Sequence, residues 1–289
     1  MAEEFTSIGL IGKYADASVG ATLRGLRDYL QGHDVDVLLD EATAEVWPDH
    51  DMTTASRPHI GEHCDLAIVV GGDGTLLNAA RSLANYRIAL LGINLGRLGF
   101  LTDISPDQMQ DKLDAILAGE YREDRRFLLH TSIIRDGEEL SESEALNDVV
   151  VHKWDVARMI EVETYVDGRF LNTVRSDGLI VSTPTGSTAY ALSGGGPILQ
   201  PSLDAVILVP ICPHTLSHRP IVVHGESEIE IVVGGAGQSH AQVTCDGQIN
   251  LGLVSGDRVQ IKKKPHEARL IHPLDHDYFH ILRAKLGWG

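Results

Sequence analysis

The sequence predicts an α/β protein in two parts, an N-terminal α/β domain with a parallel sheet and a mostly antiparallel, β-rich C-terminal domain. Three observations predict it. Short apolar runs alternate with helical spacings up to about residue 120, the pattern of a parallel sheet covered by helices. After about residue 125, Asp-Gly pairs sit between β-rich runs, a strong hairpin signal. The chain has 289 residues and 43% hydrophobic content, enough for one to two domains of roughly 150 residues each with ordinary cores.

The elements follow in order. Thr6–Ile11 reads as a strand, and Val19, Leu23, Leu26 and Leu30 share one helical face. Val35–Leu39 and Asp65–Val70 are the next strands, the second running into a glycine cluster. Leu76 to Leu83 reads as helix and Ile88–Ile93 as a buried strand. Ser105 as N-cap, Pro106 in the first turn, Met109, Leu113, Ile116 and Leu117 facing inward and Gly119 as stop define another helix. Phe127–Arg135 precedes Asp136-Gly137, and Ile160–Val166 precedes Asp167-Gly168. Further strands are expected at 178–183, 205–209, 221–223, 228–233, 241–245 and 258–262, with 185–193 helical. The domains are expected at 1–125 and 126–269, with the tail 270–289 packing back on the first.

Charge narrows the function. Acids outnumber bases 41 to 24, a formal charge of −17, which argues against nucleic acid or an anionic membrane as partner. The acidity is uneven. Residues 1–50 carry ten acids against three bases, and 101–150 carry thirteen against five. In 66–100, Asp73 stands alone against Arg81, Arg87 and Arg97, and in 171–225 Asp177 and Asp204 balance Arg175 and Arg219. No apolar run approaches the roughly 18 residues of a membrane span, and the first residues lack the pattern of a signal peptide. Cys64, Cys212 and Cys245 are scattered, which fits a reducing cytoplasm rather than a disulfide framework.

The low-acid segments hold the motifs. Gly71-Gly72-Asp73-Gly74-Thr75 lies between a strand and a helix, where glycines let backbone amides and a helix N-terminus receive phosphate. A carboxylate there is repelled by phosphate unless it meets a metal ion or accepts a hydrogen bond from a reacting hydroxyl. A tight turn capped by Asp73 is the structural alternative. Neither the P-loop nor the dinucleotide fingerprint is present. Asn94–Thr102 follows the next strand and is expected to border the same crevice. Asn147-Asp148 offers donors and acceptors for ribose hydroxyls or a carboxamide, although a turn explains the pair equally well. Between Ser176 and Gly196 stand seven hydroxyl residues and five glycines, a density that suits a close-fitting polar ligand, with Tyr190 available to stack on a base. His214 and His218 are spaced as a possible zinc pair, but the glutamate of the zincin motif is missing. Asp246-Gly247-Gln248 reads as a hairpin turn with ligand-capable side chains.

Together, Gly71–Thr75, Asn94–Thr102, Asn147-Asp148, Asp177–Pro197, Pro213–Pro220 and Asp246-Gly247-Gln248 resemble the NAD kinase family, in order along the chain to Leu286-Gly287-Trp288. The glycine loop is shared with lipid kinases and 6-phosphofructokinases; Asp177–Pro197 makes the resemblance specific. It implies phosphorylation by ATP of the 2′-hydroxyl of the adenosine ribose of NAD, with Mg²⁺ or another divalent cation accompanying ATP. It implies Asp73 as the catalytic aspartate, with Gly71, Gly72, Gly74 and Thr75 in the nucleotide site. Asn147 and Asp148 would bind the NAD ribose and nicotinamide portion. Arg158, Arg175, Asp177, Thr188, Ala189, Tyr190, Ala191, Leu192 and Ser193 would line the rest, with Gln248 nearby and Cys212 at a position where the family varies. No metal is expected on protein side chains. The resemblance also implies a homodimer or homotetramer. The rival readings are a non-enzymatic NAD(P) sensor, for which Asp73 has no use, a lipid kinase, for which no apolar groove or basic patch is evident, and an oxidoreductase, for which no dinucleotide fingerprint is present.

Overall fold

The computed structural model describes residues 5–96, 98–154, 158–215, 217–234 and 241–288. Arg97 and Leu216, which belong to two of the motifs above, lie outside the described residues. The chain divides into two compact units, Met1–Arg125 with His266–Gly289, and Arg126–Pro265.

In the first unit, strands β1 (Ser7–Gly12), β2 (Asp36–Asp40), β3 (Thr54–Ala55), β4 (Leu66–Gly71) and β5 (Ala89–Asn94) pair in the order β5-β4-β1-β2-β3, all parallel. The end of the long strand Arg258–Pro273 joins β5, Arg269–Ile271 running parallel to Ala89–Leu91. All of β4 and β5 is buried, as expected of a parallel sheet flanked by helices. Helix α1 (Val19–Leu30) buries Val19, Thr22, Leu23, Leu26 and Leu30 against it, the face that the spacing predicts. Helix α2 (Glu41–Ala44) is capped by Asp40, whose carboxylate accepts from the Thr43 amide. Helix α3 (Arg57–His63) starts behind Ser56, with proline in its first turn. These two helices and β3 are too short to leave a periodic signal.

Helix α4 (Asp73–Leu83) begins three residues before the expected Leu76, because Gly72 is extended and caps it with the glycine loop itself. The helix expected behind Ser105 opens as a 3₁₀ turn at Pro106–Gln108 and becomes α5 at Met109–Leu117. Ser105 is not a side-chain cap; its hydroxyl faces the Gln108 carboxamide instead of a backbone amide. Gly119, at φ 84°, ends the helix as expected.

In the second unit the strand pairs whose register is described are antiparallel. One sheet runs β13-β12-β11-β8-β15-β16, with β8 Asp148–Lys153, β11 Gly178–Ser182, β12 Ala205–Ile211, β13 Ile221–His224, β15 Ala241–Cys245 and β16 Ile249–Leu253. Facing it are β9 (Ile160–Val166) between β10 (Arg169–Ser176) and β14 (Ile229–Gly234), the start of β17 (Arg258–Pro273), and the hairpin of β6 (Tyr121–Arg135) with β7 (Glu138–Ala145). Val149, Val151, Leu179, Val181, Leu208 and Val243 meet Ile160, Val162, Ile229, Ile231, Val259 and Ile261 in one core. The intervening Val150, Ile180, Ile207 and Val209 form a second cluster with Ala191 and Leu199 on the opposite face. Burial on both faces is why Val149–Val151 is uninterruptedly apolar. At Asp136-Gly137, Asp167-Gly168 and Asp246-Gly247 both residues have positive φ, 52° and 85°, 51° and 72°, and 51° and 63°, the backbone of a type I′ hairpin turn. The segment expected as one helix over 185–193 is a 3₁₀ turn at Thr185–Thr188 followed by a single helical turn at Tyr190–Ser193.

Candidate active site

In the first unit the glycine loop places Asp73 in the first turn of α4. Its carboxylate is not open. Oδ1 accepts from the Leu101 amide (3.0 Å), the Thr102 amide (3.2 Å) and the Thr102 hydroxyl (3.0 Å), while Oδ2 accepts from the Phe100 amide (2.8 Å). Three consecutive amides thus close on one anion, a concavity of the kind that binds anions. This is why residues 100–102 lie against the glycine loop. A Cβ at Gly99 would stand 2.2 Å from Asp73 Oδ1 and 2.4 Å from Thr102 Oγ1, and one at Gly71 would stand 2.3 Å from Thr75 Oγ1. Both glycines are therefore required by close approach. Thr75 donates its amide to the Gly72 carbonyl (2.9 Å), so that amide is committed within the turn and is not available to phosphate. Gly74 is exposed at the start of the helix.

Gly99→Ala follows as a test of this clamp. The methyl group displaces either the carboxylate or Thr102, so thermal unfolding is expected to show a loss of about 1–3 kcal/mol. Wild-type stability in that variant would show that the clamp gives way without cost.

In the second unit a second aspartate repeats the pattern. The Asp246 carboxylate accepts from the amides of Leu146 (3.1 Å), Asn147 (2.7 Å) and Asp148 (3.2 Å), and its own amide donates to the Asp148 carbonyl (2.9 Å). Asp246 is thus a brace for Asn147-Asp148, and a role in contacting ligand is not needed to explain it. The braced pair is different. Among the described residues neither the Asn147 carboxamide nor the Asp148 carboxylate makes a hydrogen bond, although Asp148 is only 4% exposed. Burial, and then the Asp246 charge, push the Asp148 carboxyl up to about 7. A buried carboxyl and an adjacent amide with no partners are groups prepared for a polar ligand.

The hydroxyl-rich segment serves mainly itself. Thr183 Oγ donates to the Leu146 carbonyl (2.6 Å), Ser182 Oγ to that of Asn147 (3.2 Å), Ser187 Oγ to that of Pro184 (2.6 Å) and Thr188 Oγ to that of Thr185 (3.4 Å). Ser176 Oγ donates to the Gly178 carbonyl, and Thr185 accepts from Arg126. Six of the seven hydroxyls are therefore engaged within the unit, a correction to their reading as ligand-facing donors. Their effect is to hold this segment against the backbone of Asn147, which Gly186 approaches so closely that a Cβ would lie 2.2 Å from the Asn147 carbonyl oxygen.

The remaining candidates divide. Ala191 is fully buried in the Val150–Ile180–Val209 cluster and is a core residue by its side chain. Ala189 and Leu192 are half-buried, while Tyr190 and Ser193 are exposed. Asp177 is paired with Lys153 at 2.7 Å, a partner that the sequence reading missed because nothing local links the two. Arg158, Arg175, Cys212 and Gln248 are all exposed, Cys212 with a positive φ of 45°. His214 and His218 form no ligand group among the described residues.

Comparison with known proteins agrees along the whole chain. Residues 20–121 match the family model described as the ATP-NAD kinase N-terminal domain, and residues 146–273 match the ATP-NAD kinase C-terminal domain. The chain is 53% identical over 287 residues to an NAD kinase of Hahella chejuensis, covering 99% of this chain and 97% of the relative. It is 52% identical to one of Pseudomonas entomophila with the same coverage. Among solved structures, an NAD kinase from Archaeoglobus fulgidus in complex with ATP matches with a TM-score of 0.76 at 29% identity, covering 98% of this chain and 99% of that one. Yeast NADH kinase complexed with NADH matches with a TM-score of 0.92 over 99% of this chain and 89% of that one; at 23% identity it speaks to the fold alone.

Proposed function

This chain belongs to the NAD kinase family, and from that premise we propose how its residues divide the phosphorylation of NAD by ATP. The observation that carries the assignment is the unpartnered pair Asn147 and Asp148, held rigid by Asp246. Their free carboxamide and carboxyl grip hydroxyl and amide groups of NAD. Arg158, Arg175, Asp177, Tyr190 and Gln248 supply the remaining polar and stacking contacts. The Gly71–Thr75 loop receives the ATP phosphates through Gly72, Gly74 and the start of α4.

Asp73 directs the 2′-hydroxyl of the adenosine ribose. Phosphoryl transfer runs through a loose transition state, so aiming the acceptor matters more than removing its proton early. A carboxylate offers about four acceptor positions, two on each oxygen. Oδ1 is already taken by three donors, whereas Oδ2 holds only the Phe100 amide. Oδ2 is therefore the oxygen that meets the hydroxyl.

With Oδ1 filled and Oδ2 given to the hydroxyl, Asp73 has no oxygen left for a divalent cation. Mg²⁺ would accompany ATP and would supply charge neutralisation at its phosphates; no side chain of this protein is assigned to it. Cys64, Cys212 and Cys245 are all free thiols, which supports a cytoplasmic enzyme. Phe170 and Leu171 are exposed on β10, which supports a homo-oligomer.

The test is direct. With NAD, ATP and Mg²⁺ the protein is expected to form NADP, and polyphosphate in place of ATP is expected to give a slower reaction. Binding of NAD without NADP under any donor would overturn the catalytic reading in favour of a sensor. Equal rates with polyphosphate would overturn the preference for a nucleotide donor.

A further inference from the structure

Outside the residues already assigned, one cluster in the first unit combines metal-ligating side chains with unsatisfied buried atoms. Asp103, His272 and His276 each present a ligand atom within 4.8 Å of the others. Asp103 directly follows Thr102, whose amide and hydroxyl hold Asp73. His272 lies at the end of β17, and the turn that follows, closed by the His276 amide on the Pro273 carbonyl (3.0 Å), brings back His276. Asp103 Oδ2 accepts from Nδ1 of His272 at 3.2 Å and from Nδ1 of His276 at 2.6 Å. The two rings stack at 3.9 Å.

This trio is nine-tenths buried or more, with side-chain exposures of 10%, 1% and 5% in chain order. Two of its polar atoms, Asp103 Oδ1 and His272 Nε2, are buried with no hydrogen-bond partner. Two converging imidazoles do not by themselves give a buried carboxylate a permanent counter-charge, and an unmatched buried charge is costly. A divalent cation supplies that charge, and neutral imidazoles bind it without being protonated. Two imidazoles and one carboxylate, with a fourth position left for water, form a common zinc set. The donor mix disfavours Mg²⁺ and Ca²⁺, which prefer oxygen alone.

We propose that Asp103, His272 and His276 form a zinc-binding site that ties the C-terminal return of the chain to the segment whose amides hold Asp73. Its role is to tie these segments together: among the described residues the side-chain hydrogen bonds of the trio run within it, and it is separate from the cation carried by ATP. It also stands independently of the NAD kinase assignment, because its test reads no turnover.

The full-length protein, stripped with chelator, is titrated with Co²⁺ as a spectroscopic stand-in for zinc. Intense visible d–d absorption is expected, saturating at a single equivalent and bleached by added Zn²⁺. His276→Gln and Asp103→Asn are expected to abolish it, with folding checked by circular dichroism. His59→Gln, in the exposed stacked pair of His59 and His63, is expected to leave it unchanged. Zn²⁺ should raise the Tm of the wild type and not of the first two variants. No absorption in the folded wild type, or absorption that survives both Asp103→Asn and His276→Gln, would overturn the site. Loss of absorption in His59→Gln alone would assign it to surface histidines, and equally overturn it.

Discussion

Asp73→Asn is expected to lower kcat by about 10²–10⁴-fold, the range for loss of a positioned acid–base group, while KM for NAD stays within a few fold. Asparagine is nearly the same size, so the loss is chemical. With its oxygen in the Oδ1 position, the side chain still accepts from Leu101 and Thr102. Its NH₂ then occupies the Oδ2 position, where it faces the Phe100 N–H, donor against donor, and has no acceptor for the ribose hydroxyl. The variant should also lose about 1–3 kcal/mol of stability from the unsatisfied Phe100 amide. Thr102→Val separates the two roles. It removes one hydroxyl bond to Oδ1 and leaves Oδ2 untouched, so stability falls by about 0.5–1.5 kcal/mol with a much smaller loss of turnover. Steady-state kinetics beside urea unfolding decides the matter. Equal kcat losses in the two variants would reduce Asp73 to an anchor for the 100–102 segment, and near-wild-type turnover in a folded Asp73→Asn enzyme would remove it from catalysis.

That double role shows where sequence reasoning stops. The strands and helices were legible because each carries its own period. Val19, Leu23, Leu26 and Leu30 mark one face, and Asp136-Gly137 and Asp167-Gly168 adopt the two positive φ values that a tight hairpin demands. The motifs were legible because glycines and carboxylates are uncommon neighbours in a βα turn. Which atoms those residues engage was not legible. Asp73 reaches across 27 to 29 residues to its amides, and Asp246 reaches across about a hundred. No local pattern encodes such pairs. The same holds for Lys153 with Asp177 and for Asp103 with two histidines some 170 residues away. The hydroxyl density of 176–196 reflects bonds made within the unit, and the sequence did not say which partners they take. Its donors fix the backbone around Asn147, and the groups proposed to meet the ligand are among those left unbonded.

Asp148 turns that distinction into a measurable pH effect. In the unfolded chain its carboxyl ionises near pH ~4; in the folded protein burial, reinforced by the Asp246 charge, moves this to about 7. Below pH ~4 the group is protonated in both states and costs nothing. As pH rises toward 7 the unfolded chain releases the proton and the folded one retains it, so this group lowers stability by up to ~1.4 kcal/mol per unit. Above about 7 both states are ionised and the penalty is constant, on the order of 2–4 kcal/mol. Asp148→Asn carries no charge to bury. Relative to the wild type it should gain about 1 kcal/mol at pH 5 and on the order of 2–4 kcal/mol at pH 8.5, measured by urea unfolding across that range. Its activity should move the other way. The wild-type carboxylate becomes a stronger acceptor as it ionises, so kcat/KM for NAD should rise between pH 6 and 8, and the variant should lose both that rise and about tenfold or more in kcat/KM, equivalent to ~1.4 kcal/mol of binding. A stability difference equal at pH 5 and pH 8.5 would show that Asp148 does not titrate in this window. A variant that is stabilised at high pH yet keeps its NAD affinity would show a strained carboxyl that the ligand does not use. The combination of gained stability and lost affinity is what a binding group left unsatisfied in the free protein must produce, because the substrate supplies the partners that the fold withholds.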